Sequence, residues 1–334
     1  MATYKEIKGT QIEVLASDPS NPVEGQVWFN STDNVLKGLS FLSSAWATGG
    51  NLNTAREGAA GAGIQTAALF VSGRIGPAGA PPGISADTEL YNGTSWTEVN
   101  NINAGRWQTS GLGASNTAAL AFGGQLAPVP SGSLTANNES WNGTNWTEVN
   151  NLNAAKSLQA GIGTQTSGLA AGGSPGNTHD TELWNGTNWT EVNNLNTGRS
   201  SAAGAGADNT SGLAFGGDTP PITAVTELWN GTNWTEVNDL NSARRILAGA
   251  GTQTSALAFG GNDGSTAQAL TESWNGTNWT EDTDLNTARW ALSGAGADNT
   301  SALAFGGDTP PRAFTTATEE WTGAGTVTKT FTDS

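Results

Sequence analysis

The stretch Thr-Glu-Leu-Trp-Asn-Gly-Thr-Asn-Trp-Thr-Glu-Val-Asn-Asn-Leu-Asn-Thr-Gly-Arg, residues 181–199, returns with small changes about every 45 residues along the chain. A unit of that length cannot bury an apolar face by itself. Neighbouring units must stack, so the period sets the architecture.

One unit, residues 200–234, shows how. Residues 201–206 are Ser, Ala and Gly only, and residues 207–210 make a turn in which Asp208 and Asn209 tolerate positive φ. Residues 211–215 form a second apolar strand closed by Gly216 and Gly217, followed by a variable loop from position 218. Residues 226–229 and 234–237 flank Asn230-Gly231, a hairpin signal. Four short antiparallel strands per unit build a propeller blade. The small residues of the first strand suit the crowded axis. Trp229 and Trp234 suit the wide outer wedge between blades.

Counting gives six blades. The double glycine or its remnant falls at Gly73, Gly123, Gly172, Gly216, Gly260 and Gly306, and fourth-strand tryptophans fall at Trp46, Trp96, Trp146, Trp189, Trp234 and Trp279. The last unit lacks a fourth-strand tryptophan, whereas Trp46 precedes the first complete unit. An N-terminal strand around Trp46 is therefore expected to close the ring and remove its exposed edge. Closure by residues 326–331 is the alternative. The expected fold is all-β: a six-bladed propeller over residues 41–334, with a short C-terminal tail at 323–334. Residues 1–40 are expected to form an attachment segment with a hairpin of strands 26–30 and 34–38.

Composition excludes several functions. The net charge of −16 opposes binding to nucleic acid, whose affinity comes from Lys and Arg on phosphates. There is no cysteine and one histidine, His179, so thiolate metal sites are excluded and no metal or cofactor is expected. No apolar run is long enough to span a membrane, and the first 20 residues lack a secretory signal pattern. Glutamates follow the repeat, and no pair stands out as an acid and a nucleophile.

Within each unit a Gly-Gly pair follows an apolar strand, an aromatic residue follows about twelve positions on, Trp about five later, and Arg precedes the next strand. This order resembles the kelch repeat across residues 46–321. The chain departs from it in having Trp where Tyr is usual, as at Trp184, with Tyr91 the exception, and Arg74 in place of a second glycine. The segment Glu-Gly-Gln-Val-Trp-Phe-Asn-Ser-Thr at 24–32 resembles one found in fibre and other virion proteins of tailed bacteriophages. Units rich in Trp-Asn-Gly-Thr-Asn-Trp-Thr-Glu look like those of marine phage structural proteins.

One cation per unit precedes each inner strand: Arg56, Arg106, Lys156, Arg199, Arg244 and Arg289. All six are expected to ring the channel mouth on one face, and the kelch resemblance implies that this face binds ligand. A ring of cations suits a carboxylate, sulfate or phosphate. A glutamate starts each third strand, at Glu89, Glu139, Glu182, Glu227, Glu272 and Glu319, so structural pairing is the other reading. The variable loops share the face, and loops on rigid scaffolds often carry recognition.

These features imply a non-enzymatic virion structural protein, a fibre or surface appendage made in the host cytoplasm. It would display the propeller in many copies, or as a homo-oligomer, for adhesion to a host-surface glycan or protein. Residues 1–40, with Trp28 and Phe29, would attach it to other virion proteins. A decoration protein with a purely stabilising role and a glycan-processing hydrolase are the two other readings.

Overall fold

The computed structural model describes residues 12–76, 83–127 and 132–331. The chain divides into two compact units. One is Ala45–Thr322, and the other is built from the two flanking ends of the chain.

The larger unit consists of six four-stranded antiparallel sheets. Blade 4 runs outward from the axis as Ala203–Asp208, Ser211–Phe215, Thr226–Trp229 and Trp234–Val237. The hairpin at its rim is fixed locally. The Asn230 side chain accepts bonds from the backbone N–H groups of Thr232 and Asn233, at 3.0 and 2.9 Å, and Gly231 takes φ of 87°. The inner strand starts two residues later than the sequence suggests, because Ser200 and Ser201 belong to the mouth of the channel.

Glycine on the inner strands is a steric demand. A Cβ on Gly161 would lie 2.3 Å from the carbonyl oxygen of Gly111 in the preceding blade, and one on Gly249 would lie 2.8 Å from that of Gly204. The ring closes as expected, with Ala45–Thr48 pairing antiparallel to Thr318–Thr322 and Trp46 opposite Trp321. Blade 6 thus takes its outer strand from the N-terminal side, and the other closure is not used.

Tryptophans fill the wedges. Trp229 and Trp234 pack with Ile162, Leu169 and Leu195 of blade 3. Each buried indole removes roughly 150–250 Å² from water, worth about 4–6 kcal/mol before entropy is counted. The outer indoles also stitch blades together: Trp234 donates to Thr181 of the preceding blade, Trp279 to Thr226 and Trp46 to Thr271, each at 3.0 Å. At one junction Asn138 stands where the others have Thr. There the Trp189 indole N–H and the Asn138 Oδ1 are both buried without a hydrogen-bond partner.

The smaller unit is a sheet in the order Glu13–Leu15, Val27–Asn30, Val35–Leu42, Gly325–Phe331. The expected hairpin is present with a longer second strand. The tail, expected to belong to the propeller, instead pairs with that strand from Leu36↔Phe331 to Leu42↔Gly325. Trp28 is fully buried and its indole N–H donates to Asp18 at 3.0 Å, so it is a core residue of this sheet and its side chain has no surface to dock with. Bonds from Asn30, Trp28 and Lys37 hold the Asp18 carboxyl down at about 2. Phe29 lies on the opposite side, in a transverse row with Val14, Leu36 and Phe331.

Candidate functional site

The predicted cation ring exists, but it is inside the wall. Arg56, Arg106, Arg199, Arg244 and Arg289 have no exposed surface, and Lys156 is 4% exposed. Each reaches the glutamate that is second in the third strand of its own blade, as in Arg56 to Glu89 at 2.6 Å, Arg106 to Glu139 at 3.1 Å, Arg244 to Glu272 at 2.8 Å and Arg289 to Glu319 at 2.9 Å. Arg199 pairs with Glu227 in the same way. Lys156 is the weak member, 3.7 Å from Glu182 and 2.9 Å from Asp180.

The glutamate's second oxygen is used as well. In blade 5, Glu272 Oε2 accepts the backbone N–H and side-chain amide of Asn241, at 2.7 and 2.9 Å, while Arg244 also donates to the carbonyls of Gly260 and Leu270. Burial pushes these guanidinium pKa values below the ordinary arginine value, and the partner glutamates pull them back up. The ring clamps each loop to its blade. The ligand-binding role given to these six residues is corrected on that ground, since no solute reaches them, and the other reading, structural pairing with the third-strand glutamates, is the one observed.

The residue after each buried cation behaves differently. These positions are Glu57, Trp107, Ser157, Ser200, Arg245 and Trp290. Each forms an isolated bridge to the residue that follows the double-glycine position, Arg74, Gln125, Ser174, Asp218, Asn262 and Asp308, so in blade 1 it is Ser72 that replaces the first glycine, and Arg74 does not replace the second. Six identical backbone anchors thus present six different pairs of side chains at the loop-bearing mouth.

One residue further on, the chain makes the floor. Gly58, Gln108, Leu158, Ser201, Ile246 and Ala291 all have φ between 49° and 59°. Their backbones bond in a closed cycle: Gln108 N–H to Gly58 C=O at 2.7 Å, Leu158 to Gln108 at 3.2 Å, Ser201 to Leu158 at 2.9 Å, Ile246 to Ser201 at 2.9 Å, Ala291 to Ile246 at 3.0 Å and Gly58 to Ala291 at 3.0 Å. A left-handed β-branched residue such as Ile246 is strained, at a cost of about 1–3 kcal/mol, and the cycle holds it there.

Above this floor lies a cavity of about 270 Å³ lined by Glu57, Arg74, Trp107, Arg245, Trp290 and Arg312, with Leu158 and Ile246 beneath. Two further cavities lie along the channel: one of about 320 Å³ is lined almost wholly by small inner-strand residues, and one of about 150 Å³ by the starts of those strands and by the floor, including Gln108, Leu158 and Ile246. The mouth is where side chains with chemistry converge.

Blades 6, 1 and 2 supply most of it. Arg74 is ion-paired with Glu57 and lies 4.7 Å over the Trp107 ring, and Arg312 lies 5.5 Å over Trp290. Arg245 pairs with Asp218 at 2.8 Å. Gly58 leaves room for Trp107, whose Nε1 would sit 2.5 Å from any Cβ there. Burial raises the Glu57 carboxyl above its ordinary value and nearby Asp308 raises it further, against the pull of Arg74. Asp308 is 1% exposed and keeps both carboxylate oxygens without a hydrogen-bond partner.

Sequence reasoning missed Glu57, Trp107, Arg245 and Trp290, although a signal existed, while Arg74, Asp218, Asp308 and Arg312 stand in the variable loops it placed on this face. Aligned by their cations, the six repeats agree at that position and vary at the next. Of the variable loops, residues 77–82 and 128–131 lie outside the described residues. No cluster of three or more His, Asp or Glu suited to a metal ion occurs among the described residues.

No family model and no curated protein matches the chain. Among solved structures it is similar to the structure of YjhT, with 12% identity and a TM-score of 0.66 over 83% of this chain and 99% of that one. At that identity the likeness is one of fold, and it agrees with the propeller described above.

Proposed function

We propose that this chain is a non-enzymatic adhesion protein of a virion surface, whose propeller mouth binds a glycan. The observation that carries this reading is the pairing of Trp107 and Trp290 across one small polar cavity. Indole faces stack on the apolar faces of pyranose rings, and the neighbouring Arg and Glu groups of the lining serve the ring hydroxyls. A cavity of about 270 Å³ holds little more than one sugar unit, so single-site affinity is weak. Display in many copies multiplies it. The virion assignment rests on the resemblance of residues 24–32 to phage segments. Attachment falls to the smaller unit, whose Val14 and Phe331 are exposed.

Binding of the full chain to a glycan array is the test. Trp107→Ala and Trp290→Ala are each expected to remove binding while the denaturation midpoint stays near that of the parent. Undiminished binding by both variants rejects the mouth as the site. A hydrolase is the second reading, favoured by a carboxyl in the cavity wall, Glu57, that burial and the charge of Asp308 raise above its ordinary value. Turnover of a bound glycan that disappears in Glu57→Gln and Asp308→Asn would replace the adhesion reading with that one.

A further inference from the structure

Among the described residues of the propeller, Arg56, Arg74, Arg106, Lys156, Arg199, Arg244, Arg245 and Arg289 each have a carboxylate within 4.0 Å. Arg312 is the remaining cation, and it has none. In a chain with 29 acidic residues and 13 basic ones, an arginine without a carboxylate is the exception.

Arg312 is also placed. Its backbone takes φ of 102°, a region that L-residues avoid, and its N–H is tied to the Thr309 carbonyl at 2.8 Å. Its guanidinium lies over the Trp290 ring, which leaves the edge of the fork free to take a planar anion. It lines the same cavity as both indoles.

We infer that the mouth selects an acidic saccharide unit, one whose pyranose ring lies against Trp290 and whose carboxylate or sulfate is held by Arg312. This rests on the glycan-binding reading above and narrows its ligand class. The carboxylates beside the site play a different part. Glu57 lines the cavity, where it is engaged by Arg74 and keeps acceptor capacity for a hydroxyl donor, whereas Asp308 is 1% exposed and does not line it. A ligand that offers both an anion and hydroxyls matches that division. The overall charge of −16 repels anions at long range, so selection operates at contact, where one unpaired guanidinium decides it.

The experiment titrates the full chain, by tryptophan fluorescence, with saccharides in neutral and acidic pairs: glucosides and glucuronides, galactosides and galacturonides, N-acetylhexosamines and their sulfates. The acidic member of at least one pair is expected to bind about tenfold tighter or more, the scale of one charge-assisted contact. Whether the carboxylates or the sulfates win assigns the anion. Arg312→Gln is expected to erase that preference, so that the two members of each pair bind alike, and Arg312→Lys to restore part of it. Added salt weakens only the acidic member, and only with arginine or lysine at 312. Equal affinities within every pair, or a preference that survives Arg312→Gln, overturns the inference. Neutral binding that depends on Trp290 without acidic preference sinks this inference alone, whereas silence across the panel sinks the glycan reading with it.

Discussion

Two rings of six residues stand one position apart in this propeller. The inner one, Arg56 to Arg289 with Lys156 as its variant, is buried and repeats nearly unchanged. The next, Glu57, Trp107, Ser157, Ser200, Arg245 and Trp290, rests on the same backbone bridges and changes with almost every blade. A buried charge must meet a fixed partner, so its neighbours fix its identity. In the second ring Trp107, Arg245 and Trp290 are partly exposed while Glu57, Ser157 and Ser200 are buried, and no one partner recurs from blade to blade, so the side chain is free to differ. Variation between copies of one repeat therefore marks the surface where function is built.

Stranding a charge in the inner ring should have the largest effect. Glu319→Ala leaves Arg289 buried without its partner and is expected to lose about 3–5 kcal/mol in chemical denaturation. Replacing both by apolar residues, as in Arg289→Met with Glu319→Leu, should lose much less, since no lone charge remains. A double variant as unstable as the single one would mean that the ring's backbone bonds, rather than its charges, hold the loop.

At the Trp189 junction the scaffold is imperfect and open to improvement. Asn138→Thr supplies the hydroxyl that five other blades offer the facing indole. It is expected to raise stability by about 1 kcal/mol, the usual net worth of one such bond. A fall in the denaturation midpoint would show that the amide serves this site better than the hydroxyl does.

The smallest expected effect belongs to the mouth. The folded chain keeps the Glu57 proton to a higher pH than the unfolded chain, whose carboxyl has the ordinary value of 4.5. Stability contributed by that difference is present at low pH and is lost as pH rises through the interval above 4.5. Glu57→Gln should flatten that part of the curve of denaturation midpoint against pH, and an unchanged slope would place the titration elsewhere.

Much of the scaffold was legible because its causes are local. Asn230-Gly231 sets a hairpin, Gly-Ala runs fit an axis where a Cβ meets a carbonyl, and Trp46 lacks any partner except the last blade. The strands at 211–215, 226–229 and 234–237 fall where their residues suggest. The cation ring was placed on the correct side of each blade but at the wrong depth, since an arginine before a strand reads the same whether it faces solvent or a buried glutamate. The left-handed floor left no trace: Ile246 and Leu158 are residues that no local rule puts at positive φ, and only the cycle around all six blades sets them there. The tail strand at 325–331 was misplaced for a related reason, because its partner lies almost the whole chain away.

Arg289 and Trp290 are adjacent in the chain and belong to different rings, so one side-by-side measurement on the full protein is decisive. Denaturation midpoint and glycan affinity are taken for Arg289→Ala and Trp290→Ala. The account predicts that the first variant loses several kcal/mol of stability and that the second keeps its fold and loses its ligand. A Trp290→Ala variant that unfolds as readily as Arg289→Ala, or that binds as the parent does, would contradict it.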